Sequence, residues 1–428
     1  GGLPLDVDPA GVAGFLAWGA VPEPLTIRRS IRALPAGHVL RASAERGVRL
    51  EALPCEPGAD LPGELAAAVE ASVAAHLVSD VPVAVFLSAG LDSALVAALA
   101  RRHLPEPPVA LTLTWREARG TAADEEPLAR ETARALGLRH VVREIAGEEI
   151  REALPEILAA MDQPSIDGFN TWLVARLARQ EGFKVALSGL GGDELLGGYP
   201  SFADVPRWRR TARRLARVPA LERFWPALAA RLLPERPKLA GLLRHGRSLA
   251  GAYFLRRGLF LAEELEGPLA GTYDPVLDAW ERLGEGILGS TSGLLLDPWR
   301  AVHRLESTMY LRNQLLRDAD WAGMAHGVEI RVPLVDARLR AAAAAAGFEP
   351  AKRGGKRSLI GKAAPELPAA LFARPKSGFQ LPIAEWLEAR GGESAARGES
   401  ARRTQGAASR RLARRVLAEF GVPWPGGA

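Results

Sequence analysis

Residues 81–100, VPVAVFLSAGLDSALVAALA, pass from one apolar run through a short polar turn into another. Val81–Leu87 reads as a buried strand and Leu91–His103 as a helix. Between them, Ser88-Ala89-Gly90-Leu91-Asp92-Ser93 offers two hydroxyls, one carboxylate and a glycine. Such a turn can hold an anion. Gly90 lets backbone amides approach it, and the start of the helix adds partial positive charge. The Gly-Lys-Ser/Thr ending of the common P-loop is missing. Asp92 would repel a bare phosphate, so it calls for a cation between them, and Mg²⁺ commonly uses one or two carboxylates plus phosphate oxygens. A simple capped helix is the competing account of the same residues.

Outward from this turn, strands and helices alternate. After a helix over Gly63–Ser79 and the two elements above come a strand (Val109–Trp115), a helix (Asp124–Leu136) closed by Gly137, a strand (Arg139–Ile145) and a helix over 147–160. A helix over 171–181 and a strand, Phe183–Leu187, complete the series. This alternation predicts an α/β fold, a parallel sheet with helices on both faces. Ligands of such sheets sit beyond the carboxyl ends of the strands, where Ser88 and Ser188 both begin turns. Residues 1–60 read as short strands and turns, and beyond Tyr199 the pattern is helical, broken by Pro219, Pro226, Pro234 and Pro237. The tail beyond residue 390, rich in Gly, Ser and Arg, reads as loosely packed.

The chain of 428 residues has one cysteine, Cys55, which excludes an internal disulfide framework and suits a reducing, cytoplasmic setting. No apolar run approaches the roughly 20 residues of a membrane span. Net charge is +5, with arginines clustered in 207–217 and 402–415. Solvated helix faces account for them more simply than RNA binding. Only six lysines occur, and four of them (Lys352, Lys356, Lys362 and Lys376) lie within 25 residues of one another.

A second turn, SGLGGDELLGGYP (188–200), again follows a strand and places Gly191 and Gly192 before Asp193 and Glu194, with Gly197 and Gly198 after. Each glycine costs conformational entropy on folding, so the set points to close approach of the backbone to something else. Asp193 is then placed to meet Asp92 across neighbouring strand ends and share a metal.

SAGLDS resembles the pyrophosphate-binding loop SGGLDS of the N-type ATP pyrophosphatases, and the second turn resembles SGEGADELFGGY of the asparagine synthetase family. QLLRDADWAGMAHGVEIRVPLVD (314–336), KRSLIGKAAPELPAAL (356–371) and RPKSGFQLPIAEWL (374–387) agree with that family, over about 61–390. Residues 11–42 resemble the last part of its glutamine-hydrolysing domain. The resemblance divides the chain into 1–60, the remnant of a glutaminase-type domain; 61–200, an ATP-pyrophosphatase core of the adenine nucleotide alpha hydrolase type; 201–390, the helical part of the synthetase domain; and 391–428, a basic tail.

What the resemblance implies is an ATP-dependent, AMP-forming carbon–nitrogen ligase. A substrate carboxylate attacks the α-phosphorus, and ammonia then displaces AMP from the acyl-adenylate; aspartate to asparagine is the default conversion. Leu87, Ser88, Gly90, Asp92 and Ser93 would bind ATP and pyrophosphate, with Leu111, Ser188 and Gly189 near adenosine, and Asp92 and Asp193 would hold Mg²⁺. Lys376 would neutralise charge growing on the phosphates, with Asp193 and Glu194 as further catalytic residues. Implied partners are a small-molecule carboxylate, ammonia and a glutaminase domain or subunit, with a homodimer as the assembly considered, and neither a membrane nor nucleic acid. The alternatives are a related enzyme that amidates another carboxylate or closes a lactam, and an RNA-modifying pyrophosphatase-loop protein.

Three departures stand out. Ala89 and Ala94 replace residues of the usual first loop but are also small. Leu190 stands where the family carries a glutamate credited with the ammonia proton, so another base, such as Glu194, or another substrate pair is required. The family's glutaminase needs an amino-terminal cysteine with its free amine as base. Residue 1 is glycine and Cys55 is internal, so the chain as given is expected to use free ammonia and not glutamine. Glu329 and Arg331 are read as a buried ion pair that shapes either the fold or the pocket, and His326 as a packing histidine.

Overall fold

The computed structural model describes residues 6–53, 64–121, 123–218, 220–233, 237–261, 264–265, 272–273, 275–280, 297–345, 355–374, 381–388, 401–422 and 424. Cys55 and Lys376 lie outside them.

The chain begins with α1 (Pro9–Trp18), an exposed antiparallel hairpin of β1 (His38–Ser43) and β2 (Gly47–Ala52), and α2 (Leu65–His76). The alternating series follows as β3 (Val83–Phe86), α3 (Leu91–His103), β4 (Val109–Trp115), α4 (Glu126–Ala135), β5 (His140–Ile145), α5 (Gly147–Ala160), α6 (Phe169–Gln180) and β6 (Val185–Leu187). A five-stranded parallel sheet results, in the order β5-β4-β3-β6-β7, as the alternation predicts. Its edge strand β7 (Glu329–Arg331) comes from the half read as helical only, a correction to that reading. Three residues are too few to show a strand period, and the segment is fixed by pairing with β6.

Helices cover both faces because the strands are apolar on both. Ala84, Leu111, Leu113 and Ala186 face one core, shared with α1, α5, α6 and the later helices. Val83, Val85, Ala110, Val185 and Leu187 face a second, shared with α2, α3, α4 and the 360–371 region. Alternate residues of β3 serve opposite cores, the period of two that a strand requires.

Two further readings change. Residues 1–60 contain a helix, α1, started by Asp8, whose Oδ1 accepts the Ala10 N–H, and ended by Gly19 in the left-handed conformation. Its Phe15, Leu16 and Ala17 are fully buried, and Leu259 N–H donates to the Ala17 carbonyl. The tail likewise contains a helix, Ala401–Glu419, whose Leu412, Ala413, Val416 and Leu417 are core residues. Pro226 sits within the Leu221–Leu232 helix and does not break it. Among the described residues, no helix is long and apolar enough to cross a membrane.

Candidate functional site

β3 and β6 are neighbours, and chain order reverses direction between them, so their carboxyl ends open one crevice. Both turns emerge there. Gly189 and Gly192 make their contact possible: a Cβ on Gly189 would lie 2.5 Å from the Ser93 nitrogen, and one on Gly192 2.3 Å from Asp92 Cγ. Thus these two glycines admit the other turn, a more specific use than the approach to ligand expected from sequence. Gly191, at φ +91°, turns the chain against Val335.

The first turn is organised by its hydroxyls. Ser93 Oγ accepts from Ser88 N–H at 3.1 Å and lies 2.9 Å from Ser88 Oγ, which accepts from Gly90 N–H at 3.1 Å. Ala89 N–H donates to the buried Glu125 carboxylate at 3.2 Å. The amides of residues 88–90 are therefore engaged, and the start of α3 adds the partial positive charge of a helix amino end. Leu87 N–H donates to the Leu111 carbonyl, and Thr112 Oγ1 donates to the Leu87 carbonyl, so the backbone of Leu87, expected at ATP, and the Leu111 carbonyl, expected near adenosine, are engaged between the central strands β3 and β4. Ser188 N–H donates to the Arg331 carbonyl, and Ser188 Oγ accepts from Leu190 N–H.

Asp92 and Asp193 converge as the sequence suggests, and a residue it did not single out lies between them. Lys356, on the Gly355–Ala363 helix, places Nζ 2.5 Å from Asp92 Oδ2 and 2.6 Å from Asp193 Oδ1. Burial works against its charge, but the two carboxylates outweigh that and hold its pKa above the ordinary lysine value. The trio carries one net negative charge. The hints in the sequence were the cluster of lysines in an arginine-rich chain and the family-like stretch that begins at Lys356. Among the described residues no group of three or more His, Cys, Asp or Glu could hold a metal. Two carboxylates facing one cation do fit Mg²⁺, which takes its remaining ligands from phosphate oxygens and water.

Glu194 turns away from this trio. It is buried, with Oε1 accepting from Tyr199 OH at 2.8 Å and Oε2 without a hydrogen-bond partner among the described residues. Burial, with Asp193 as a lesser cause, raises its pKa to about 7 against the Tyr199 bond. Next to it lies a network that the sequence did not point to. Arg257 stands 4.2 Å from the Tyr199 ring centre and 3.9 Å from that of Tyr310, and pairs with the fully buried Glu306 at 3.0 Å. Ser201 and Tyr253 hydroxyls also donate to Glu306. Glu306 begins a π-helix, Glu306–Leu315, a rare form often found at functional sites. Tyr310, Asn313 and Gln314 from that helix line a small cavity with Trp18 and Arg257.

Glu329 and Arg331 do pair, at 3.0 Å, but Glu329 is exposed and Arg331 also donates to the His76 and Val78 carbonyls. The pair fastens the sheet edge to the end of α2. His326 packs edge-on against Trp172 at 4.5 Å, as expected.

Comparison with known proteins bears on the family. The family model for asparagine synthase matches residues 64–420. A Mycobacterium tuberculosis protein named "putative asparagine synthetase", glutamine-hydrolysing, is 32% identical over 406 residues, covering 91% of this chain and 60% of its own length. Asparagine synthetase 1 of Bacillus subtilis, named as glutamine-hydrolysing, is 27% identical over 395 residues, covering 90% of this chain and 61% of its own. The chain therefore spans about three fifths of the length of these relatives. With most of its residues matched by the model, this chain belongs to the asparagine synthase family.

Proposed function

We propose that this chain catalyses AMP-forming amide synthesis: ATP activates a carboxylate as its acyl-adenylate, and ammonia displaces AMP. The observation that carries the reading is the convergence of Asp92 and Asp193 on one cation beside the Ser88–Ser93 turn. The first-turn amides of α3 and the two serines would orient the phosphates, and Lys356 would offset their charge. Lys376 is proposed for the same task on the strength of its motif alone. Mg²⁺, held by Asp92 and Asp193, would supply charge neutralisation at the pyrophosphate when bound.

Glu194 is proposed as the group that holds the ammonia proton, through Tyr199, because its pKa of about 7 lets it exchange a proton near neutrality. The ammonia is proposed to come from a glutaminase domain or subunit. The exposed Leu40, Val48 and Leu50 side of the β1–β2 hairpin supports reading residues 1–60 as the edge of such a domain. A second reading, an acceptor other than aspartate, is favoured by Leu190, a half-buried apolar side chain that cannot take a proton.

The test is to supply labelled ATP, ammonium and a panel of carboxylates, aspartate first. AMP and pyrophosphate are expected with one of them. ADP as the product would overturn the reading.

A further inference from the structure

Glu125 is a buried carboxylate that neither the sequence motifs nor the reading above uses; it is 5% exposed. Its neighbour Asp124 performs the local work of the turn, accepting from Gly120 N–H and Glu126 N–H. Glu125 makes no cap of its own and reaches across to the first turn, where Oε2 accepts the Ala89 N–H at 3.2 Å. Oε1 lies 3.9 Å from the Arg374 guanidinium. Burial raises the Glu125 pKa, opposed by Arg374 and the Ala89 amide. A negative group behind an anion-binding turn works against the anion, so its value lies in what it holds in place.

The contacts form a closed circuit. Arg374 donates to the Asp124 carbonyl, and its own carbonyl accepts from Arg357 at 3.1 Å. Arg357 follows Lys356 on the same helix, and Lys356 returns to Asp92 in the first turn. Both ends of the circuit therefore lie in Ser88–Ser93.

We propose that Glu125 is a positioning residue: it fixes the Ala89 amide and, through Arg374 and Arg357, keeps the first turn in register with Lys356. The consequence for nucleotide binding rests on the amide-synthesis reading; the consequence for the turn does not.

Two readouts separate these. In the ligand-free protein, amide hydrogen exchange across residues 86–92 should rise about tenfold or more in Glu125→Ala, the scale of losing a buried hydrogen-bond partner. Glu125→Gln, which keeps an acceptor for the amide, should stay close to the parent. In turnover assays with ATP, Glu125→Ala should raise the KM for ATP about tenfold while kcat changes less, and Glu125→Gln should restore most of it. If Glu125→Ala does not fold, Glu125→Asp, which withdraws the carboxylate by one methylene, should loosen the same segment and raise the same KM. Parental exchange and parental KM in the Ala or Asp variant would overturn the proposal. Loosened exchange in a chain that never turns over ATP would leave Glu125 as the strut and remove the amide-synthesis reading instead.

Discussion

The two turns look alike in sequence, each a strand end followed by Ser, Gly and an aspartate, yet they are built on different principles. The first is held by its own side chains: Ser88 and Ser93 bond each other and the local amides, and Glu125 takes the third. The second is defined by atoms it lacks, because Gly189 and Gly192 clear the space that Asp92 and Ser93 occupy. One turn contributes groups and the other contributes room. Their two aspartates are equivalent only where they meet, at Lys356.

The strongest way to break this comparison is to remove what the turns share. Lys356→Met leaves Asp92 and Asp193 facing each other without their cation, and AMP formation should fall about 100- to 1000-fold, the usual effect of losing one preorganised charge partner. Asp193→Asn should lie in the same range with the fold intact by circular dichroism. Equal turnover in either variant would dissolve the shared site.

A smaller effect tests the room that the second turn provides. Gly192→Ala sets a methyl into the Asp92 carboxyl, a clash worth about 1–3 kcal/mol, so AMP formation should drop about 10- to 100-fold with a lower Tm. The reciprocal change in the first turn, Ala89→Gly, removes a methyl from a position held by hydrogen bonds and should alter turnover less than about threefold. Comparable losses in both would mean that the two turns are built alike after all.

The mildest prediction concerns Glu194 and pH. Its folded pKa of about 7 exceeds the ordinary 4.5, so between those values the folded state binds a proton that the unfolded state has released. Its contribution to stability is therefore fully present below about 4.5 and is lost as pH rises through about 7, with a slope of at most about 1.4 kcal/mol per pH unit. Chemical denaturation across this window should show that slope, and Glu194→Gln should flatten it. An unchanged slope would place the titration elsewhere.

Much of this was legible beforehand because a buried parallel sheet writes itself as apolar runs between glycine-bearing turns. Val109–Trp115 is a strand over the residues expected, and the neighbouring strands differ only at their ends. α1 had its signals too, Asp8 and Pro9 at one end and Gly19 at the other, but Gly11 to Ala17 are buried on every side, so the helix shows no amphipathic period. The helix at 401–419 was hidden by its arginines, although Leu412, Val416 and Leu417 keep a helical spacing. Glu125 and the Arg257–Glu306 pair could not be read at all, and Lys356 only as one of a cluster of lysines. Each acquires its role from partners 36 to 264 positions away, through contacts that no local pattern encodes.

The position of β7 at the sheet edge has a consequence for how the chain is made. As the protein emerges amino end first, β3, β4, β5 and β6 are complete before the residues that cover the open side of β6 have been synthesised. Until Glu329–Arg331 arrive, β6 presents an unpaired edge, the type of surface on which nascent chains associate wrongly. Asp193 likewise precedes Lys356 by 163 residues, so the two carboxylates have to await their cation. Long-range pairings of this kind are slow to form. The last step of folding should therefore be docking of the carboxyl-terminal half, with β7 and Lys356 closing the crevice together.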